Sequence, residues 1–122
     1  MQFIIRRLKG VLIALNGMFI LLKSEDSIKT QLFFILFVVT IGICLEITAH
    51  EWIIHILLIG FILTAEAFNT VSEKICDFIN PKYNHRVKLI KDISAGAVSF
   101  AVISSIIILL ILYYPYFKHH LN

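Results

Sequence analysis

Three long stretches of this 122-residue chain contain no Asp, Glu, Lys or Arg: residues 31–45, 52–65 and 93–117. An α-helix needs about 20 mostly apolar residues to cross the hydrocarbon core of a bilayer, which is about 30 Å thick. The whole chain is 59% hydrophobic and 16% charged, with a mean hydropathy of +0.90, and a water-soluble domain of this size cannot bury so much apolar surface. The sequence therefore predicts an integral membrane protein.

The positions of these stretches predict the fold. We expect an all-α membrane protein, a single domain over residues 1–122, with transmembrane helices at about residues 31–49, 52–72 and 93–117. The first two spans are so close in the sequence that they must form a hairpin. We place the turn of this hairpin at Thr48–Glu51.

The N-terminal segment, residues 3–23, is apolar but does not suit a further span. Three basic side chains lie near its start: Arg6, Arg7 and Lys9. They leave only the 13 residues 10–22 without charge, which is too short to span comfortably. We therefore predict an amphipathic helix in the membrane interface, with its basic side chains reaching lipid headgroups. A signal peptide has a similar pattern, but no small-x-small cleavage site follows Leu22.

The basic residues predict the orientation in the membrane. Five of the eleven lie in residues 1–30 and five in residues 73–92, which leaves only Lys118 elsewhere. Because Lys and Arg accumulate in short cytoplasmic loops, the N-terminus and the 73–92 segment should face the cytoplasm and the C-terminus the outside. These two basic faces, opposite anionic lipid, also explain the net charge of +3 without a nucleic-acid partner.

Four polar residues lie on one face of the second predicted span and its extension. They follow the spacing i, i+3, i+7 and i+11: Glu66, Asn69, Glu73 and Asp77. At about 100° per residue, they point within roughly 80° of one another. This stripe must face protein or water, because an ionisable group that faces hydrocarbon is costly.

The stripe has more than one interpretation. At Asp77 it fits the solvated end of a helix that leaves the membrane. Glu66 lies well inside the apolar run, where it either pairs with a basic residue of a neighbouring helix or acts as a functional carboxylate. We favour the functional carboxylate, because ionisable residues inside membranes usually mark functional sites.

Carboxylates in this position suit two kinds of chemistry. Glu25, Glu73 and Asp77 offer oxygen ligands of the kind that Mg²⁺ takes, one or two at a time, together with water and phosphate. An acid held partly out of water, as Glu66 would be, suits a general base that accepts a proton from a hydroxyl. Together they describe phosphoryl transfer to an alcohol, although the sequence contains no Walker A or GxGxxG motif.

Residues 66–77, EAFNTVSEKICD, resemble the signature Glu-x-x-Asn-[Ser/Thr]-x-x-Glu-x-x-x-Asp of the small bacterial integral-membrane lipid kinases, which phosphorylate diacylglycerol or undecaprenol. Residues 91–98, KDISAGAV, and Tyr83 in the preceding loop are similar to further elements of that family. Gly17 and Glu25 stand eight residues apart, as the family's N-terminal Gly and Glu do. The resemblance covers essentially the whole chain.

The resemblance implies roles for individual residues. Glu66 corresponds to the catalytic base that acts on the primary hydroxyl of the lipid, and Asn69 to the residue that orients lipid or carboxylate. Glu25 and Glu73 correspond to the carboxylates that hold Mg²⁺ and, through it, the phosphates of ATP. Ala95, like Glu66 and Asn69, corresponds to a lipid-binding position. The remaining implied nucleotide contacts are Arg6, Asp77, Lys82, Tyr83, Asn84, Lys91 and Asp92.

The resemblance also implies a homotrimer in the bacterial cytoplasmic membrane, with active sites formed between neighbouring protomers. Residues 95–98 favour undecaprenol as the acceptor, with diacylglycerol as the alternative. The chain departs from the family pattern at Ser27, Lys29 and Ser72. Two other functions remain open: a small proton-coupled transporter, which would need its carboxylate near the midplane, and a non-catalytic membrane scaffold of the same fold.

Overall fold

The computed structural model describes residues 1–120, with the side chains of residues 1–118, and in this part the chain forms four α-helices. Their bounds are α1 Gln2–Ser24, α2 Asp26–Cys44, α3 Ala49–Ile79 and α4 His85–His120. Helices α2, α3 and α4 are each long and apolar enough to cross a membrane. The prediction of an all-α protein with three apolar helices of spanning length is confirmed.

Helix α1 occupies the segment for which we predicted an interfacial helix. A single residue, Glu25, separates it from α2 and has extended backbone angles of φ −105° and ψ 118°. The Glu25 N–H still donates to the carbonyl of Leu21, and its own carbonyl accepts from the N–H of Lys29. The chain therefore changes direction at Glu25 without a loop, which places this carboxylate at a helix junction.

The hairpin between α2 and α3 lies earlier in the chain than we predicted. Helix α2 ends at Cys44, and α3 begins directly after its N-cap residue, Thr48. The hydroxyl of Thr48 accepts from the N–H of Glu51 at 3.4 Å, and the carboxylate of Glu51 accepts from the N–H of Thr48 at 2.6 Å. This capping box starts the helix at Ala49. The predicted turn at Thr48–Glu51 is therefore wrong, because these residues form the cap and first turn of α3.

The buried core lies near this hairpin. Ile47, Leu112 and Tyr113 form a cluster against which Trp52 packs. Gly42 of α2 is buried at the same place: a Cβ added to it would lie 3.0 Å from Ile47 Cδ1 and 3.2 Å from the Trp52 ring. A side chain larger than hydrogen at position 42 would therefore require Ile47 or Trp52 to shift by a few tenths of an ångström.

At the other end of the bundle, α3 and α4 extend beyond the spans that we predicted. Helix α3 continues to Ile79 and ends at its C-cap residue, Asn80, which precedes a proline. Helix α4 begins at His85, where the side-chain oxygen of Asn84 accepts from the N–H groups of Arg86 and Val87 at 2.9 and 3.4 Å. These two helices contact each other more extensively than any other pair. Their extensions carry most of the candidate site.

Candidate active site

The polar stripe of α3 passes from the interior of the bundle to its surface. Glu66 is 5% exposed, Asn69 9% and Thr70 3%, whereas Glu73 and Asp77 are exposed. Seven residues of helix separate Glu66 from Glu73 by about 10 Å along the axis. Side chains on a helix lean towards its N-terminus, so the carboxylate of Glu73 leans towards Glu66. The stripe thus joins a buried acid to exposed ones.

Glu66 is buried, and no side chain of residues 1–118 pairs with it. Among the side chains of residues 1–118, none forms a salt bridge or hydrogen bond with its carboxylate. The interpretation of Glu66 as half of a structural ion pair with a neighbouring helix therefore finds no partner in this part of the chain.

Asn69 carries an unsatisfied oxygen beside Glu66. Its Nδ2 donates to Glu73 Oε1 at 3.2 Å, and its Oδ1 is the single buried side-chain oxygen or nitrogen without a hydrogen-bond partner in the part of the chain that the structure describes. An ionised carboxylate only accepts, so the amide nitrogen has to face Glu73 and the oxygen is left over. A buried acceptor without a donor costs about 1–3 kcal/mol. Among the described residues, Asn69 Oδ1 therefore lacks a hydrogen-bond donor.

Glu25 reaches α3 from the junction of α1 and α2. Its Oε1 forms a salt bridge with Lys74 Nζ at 2.8 Å, at the residue that directly follows Glu73. The hydrogen bond from Lys74, followed by one from the Ser24 hydroxyl, holds the pKa of the Glu25 carboxyl below its ordinary value. The sequence analysis missed the role of Lys74, which was counted only as one of five basic residues in the 73–92 segment.

Glu25 and Glu73 are the residues that would hold a metal ion. Among the described residues, no group of three or more His, Cys, Asp or Glu side chains is arranged to hold one. Mg²⁺, however, usually takes one or two carboxylates and leaves its other positions to water and phosphate. Glu25 at the α1–α2 junction and Glu73 on α3, next to the Lys74 that Glu25 binds, would supply these two carboxylates, and the nucleotide would supply phosphate oxygens.

A second ion pair joins α3 to α4. Lys91 Nζ binds the carboxylate of Asp77, so the first turns of α4 are held against the end of α3. Asp92 follows Lys91 and is exposed, and Ala95 lies one turn further along α4, also exposed. The structure thus gathers these four predicted site residues around one end of the α3–α4 pair.

The loop between α3 and α4 presents the other predicted nucleotide contacts. Lys82 and Tyr83 are exposed, Tyr83 to 83%. Asn84 is also exposed, but its side-chain oxygen is already engaged as the cap of α4. Arg6 is not brought to this group, because it lies about 28 Å along α1 from Glu25.

These features define a class of protein: an all-helical membrane protein with a buried acid that leads to exposed carboxylates and lysines at one end of its bundle. The sequence pattern of the family described as prokaryotic diacylglycerol kinase matches residues 12–113, and the chain belongs to that family. The resemblance seen in the sequence is thereby confirmed. Of the predicted site residues, Arg6 alone falls outside the matched range.

A curated relative agrees with this family. Over 71 residues the chain is 46% identical to an undecaprenol kinase of Bacillus subtilis (strain 168). The aligned region is 57% of this chain and 58% of the relative, so the match spans less than two thirds of that protein's length.

Proposed function

We propose that this protein is an ATP- and Mg²⁺-dependent lipid kinase that transfers the γ-phosphate to the primary hydroxyl of a membrane lipid. The observation that carries the proposal is the buried Glu66, which pairs with no side chain of residues 1–118 and lies one helical turn from the unsatisfied oxygen of Asn69, in a chain of the prokaryotic diacylglycerol kinase family. A proton-coupled transporter would also use a buried acid. The family and the carboxylates at one end of the bundle favour the kinase.

Glu66 acts as the general base in this proposal. Its carboxylate accepts the proton of the lipid hydroxyl while the hydroxyl oxygen forms a bond to the γ-phosphorus and the bond from that phosphorus to the β–γ bridging oxygen breaks. The products are a lipid phosphate, ADP and a protonated Glu66. Two residues three apart on a helix are neighbours, so Asn69 Oδ1 stands ready to accept a hydrogen bond from the new carboxylic acid. Asn69 Oδ1 then gains a hydrogen-bond donor only after Glu66 has accepted the proton of the lipid hydroxyl.

Glu25 and Glu73 hold the metal in this proposal, and the ion supplies neutralisation of the phosphate charge. Asp77, Lys91 and Asp92 lie at the same end of the bundle and take the nucleotide, with Lys82, Tyr83 and Asn84 in the adjoining loop. Since phosphoryl transfer depends mostly on positioning and charge, these residues act by holding the γ-phosphorus in line with the lipid oxygen.

An apolar cavity lies on the face of α3 opposite the polar stripe. A space of about 430 Å³ lies between α1 and α3, and its lining includes Leu21 of α1 and Leu63 and Ala67 of α3. Successive residues of a helix point about 100° apart, so Ala67 and the other α3 residues that line the cavity face away from Glu66. We propose undecaprenol as the acceptor, because the relative that shares 46% identity is an undecaprenol kinase.

We also propose a homotrimer in the bacterial cytoplasmic membrane, with α1 lying in the membrane–water interface. Arg6 lies about 28 Å along α1 from Glu25 of its own chain. As a nucleotide contact it would therefore act at the site of another protomer, which supports active sites shared between protomers. The small residues of α4 at 95–97 would allow close approach of helices.

The direct test is phosphate transfer from γ-labelled ATP in detergent micelles, with undecaprenol and diacylglycerol offered in parallel. We expect labelled undecaprenyl phosphate, at a higher rate than phosphatidic acid, and no product without Mg²⁺. Absence of transfer to both lipids by a folded protein would contradict the kinase and favour the scaffold. Proton flux in sealed vesicles without lipid phosphorylation would favour the transporter.

A further inference from the structure

The ion pair between Glu25 and Lys74 occupies a carboxylate that the proposed function assigns to the metal. Nζ and Oε1 are 2.8 Å apart, and the Lys74 side chain is 64% exposed while that of Glu25 is 20% exposed. The pair connects the α1–α2 junction to α3, so it holds Glu25 beside the helix that carries Glu73. Oε1 also accepts from the Ser24 hydroxyl at 3.0 Å, so both of its lone pairs are engaged and a divalent cation that binds this oxygen has to displace a donor.

The chemistry of the two partners favours an exchange. The ammonium of lysine is a compact, strongly hydrated charge on a flexible stem, and an exposed ion pair of this kind is weak. The carboxylate is the more enclosed member, and it cannot leave the junction as readily because Glu25 is the only residue between two helices. A competing cation would therefore displace Lys74 and leave Glu25 in place.

We propose that Lys74 is a positioning residue that neutralises and holds Glu25 in the metal-free protein, releases it to the divalent cation, and then turns its ammonium to the triphosphate. This inference rests on the proposed function, since it takes Glu25 as a metal ligand. The displaced ammonium stays one residue from Glu73, on the exposed surface of α3, where an anion that arrives with the metal would meet it. Release of the Lys74 ammonium from Glu25 is thus coupled to binding of a metal–nucleotide complex.

The exchange makes an unusual prediction: loss of Lys74 strengthens binding of the metal alone and weakens binding of the nucleotide. The probe for the first half is Mn²⁺ without nucleotide, followed by the loss of its free electron paramagnetic resonance signal on binding to the full-length protein in detergent. We expect Lys74→Gln to bind Mn²⁺ roughly two- to fivefold more tightly than wild type, the size of a weak exposed ion pair. Lys74→Arg keeps a cation at Glu25 and should bind Mn²⁺ with the wild-type affinity.

The second half uses the Mg²⁺ complex of a non-hydrolysable ATP analogue. Here Lys74→Gln should bind about tenfold more weakly, because a charge-assisted hydrogen bond to phosphate is lost. The matched control is Lys88→Gln, which removes the same charge from the 73–92 segment at a lysine that forms no ion pair with a described side chain. This control should change neither affinity.

Three results would overturn the exchange. The first two are an unchanged Mn²⁺ affinity and an unchanged affinity for the ATP analogue in Lys74→Gln. The third is a wild-type Mn²⁺ affinity in Glu25→Gln, because we expect that variant to bind Mn²⁺ at least about tenfold more weakly. Phosphate transfer to lipid by the wild-type protein is measured separately. A protein that transfers phosphate but fails these binding tests contradicts the exchange alone, and one that transfers none contradicts the proposed function.

Discussion

Among the single residues, Glu66 and Asn69 place two hydrogen-bond acceptors one helical turn apart in the interior of the bundle. The amide oxygen of Asn69 only accepts, so it cannot form a hydrogen bond with Glu66 while the Glu66 carboxylate is ionised. Asn69 is fixed in this orientation because its amide nitrogen donates to Glu73. In the proposed reaction, the protonated carboxyl of Glu66 would offer Asn69 Oδ1 the donor that it lacks among the described residues.

Glu66→Gln should reduce lipid phosphorylation by roughly 10²- to 10⁴-fold, because an amide cannot accept the hydroxyl proton while it keeps the shape of the side chain. The rate is measured with γ-labelled ATP and undecaprenol. Gel filtration should show the same size as wild type. Glu46→Gln is the control, since Glu46 lies exposed in the α2–α3 turn, and it should remain active. A nearly normal rate in Glu66→Gln would exclude Glu66 as the base.

Among the elements, the α2–α3 hairpin depends on a backbone feature that hydropathy does not report. Glu46 has a positive φ of 50°, which lets the chain reverse directly after Cys44. The capping box of Thr48 and Glu51 then starts α3. The Thr-x-x-Glu pattern was visible in the sequence and could have placed the turn, because it is a known signal for a helix N-terminus. The charge-free run ends at Leu45, one residue after α2, but the predicted span extends to residue 49 to reach the length of a transmembrane helix.

Gly42→Ala should destabilise this hairpin by about 1–3 kcal/mol, because the added methyl group would press on Ile47 and Trp52 in a packed core. Unfolding in mixed detergent micelles, followed by circular dichroism, measures the change. Gly10→Ala is a suitable comparison, because a Cβ at Gly10 meets no atom within 4 Å. Equal stability of the two variants would show that the Gly42 contact relaxes at no cost.

A buried polar network joins α3 to α4 near the same hairpin. His55 is 1% exposed, and its Nδ1 lies 2.8 Å from the backbone oxygen of Glu51, which can only accept, so Nδ1 carries a proton. In the neutral ring, Nε2 then accepts from the hydroxyl of Tyr113 at 2.7 Å. Tyr116 donates to the carboxylate of Glu51 at 2.7 Å. Tyr113 and Tyr116 therefore hold α4 to the first turns of α3 by hydrogen bonds.

Tyr113→Phe should lower the free energy of unfolding by about 1 kcal/mol, the size of an interhelical hydrogen bond in membrane proteins, because Nε2 of His55 loses its donor. The same detergent unfolding experiment measures the loss. Tyr114→Phe, at a neighbouring residue that is 66% exposed, should leave stability unchanged. If both substitutions had the same effect, the hydrogen bond to His55 would not stabilise the protein.

For the whole molecule, the placement of the candidate site depends on the orientation in the membrane. The 80–84 loop and the exposed carboxylates of α3 lie at the end of the bundle opposite the α2–α3 hairpin. We propose that this end faces the cytoplasm, where ATP is available, because five of the eleven basic residues lie in residues 73–92.

Single cysteines at positions 88 and 118, introduced by Lys88→Cys and Lys118→Cys into a protein without its two native cysteines, test this orientation. We expect a membrane-impermeant thiol reagent added outside intact cells to label position 118 and not position 88, because α4 separates the two across the bilayer. Permeabilised cells should show labelling at both positions. Labelling of both positions in intact cells would overturn the proposed topology.

The sequence by itself determined the number of apolar helices of spanning length and the face of α3 that carries the acidic residues. Both are local properties: hydropathy is a sum over neighbouring residues, and the spacing from Glu66 to Asp77 fixes which side chains share a helical face. The family also followed from the sequence, because its motif lies within twelve consecutive residues of α3.

Only the tertiary structure decided which polar groups meet. Lys74 binds Glu25 across 49 positions of sequence, Lys91 binds Asp77 across a helix junction, and His55 meets Tyr113 across 58 positions. Each contact depends on how two helices are rotated and shifted against each other, which composition and periodicity leave free. The same packing leaves the oxygen of Asn69 without a donor, because the neighbouring helices offer it none.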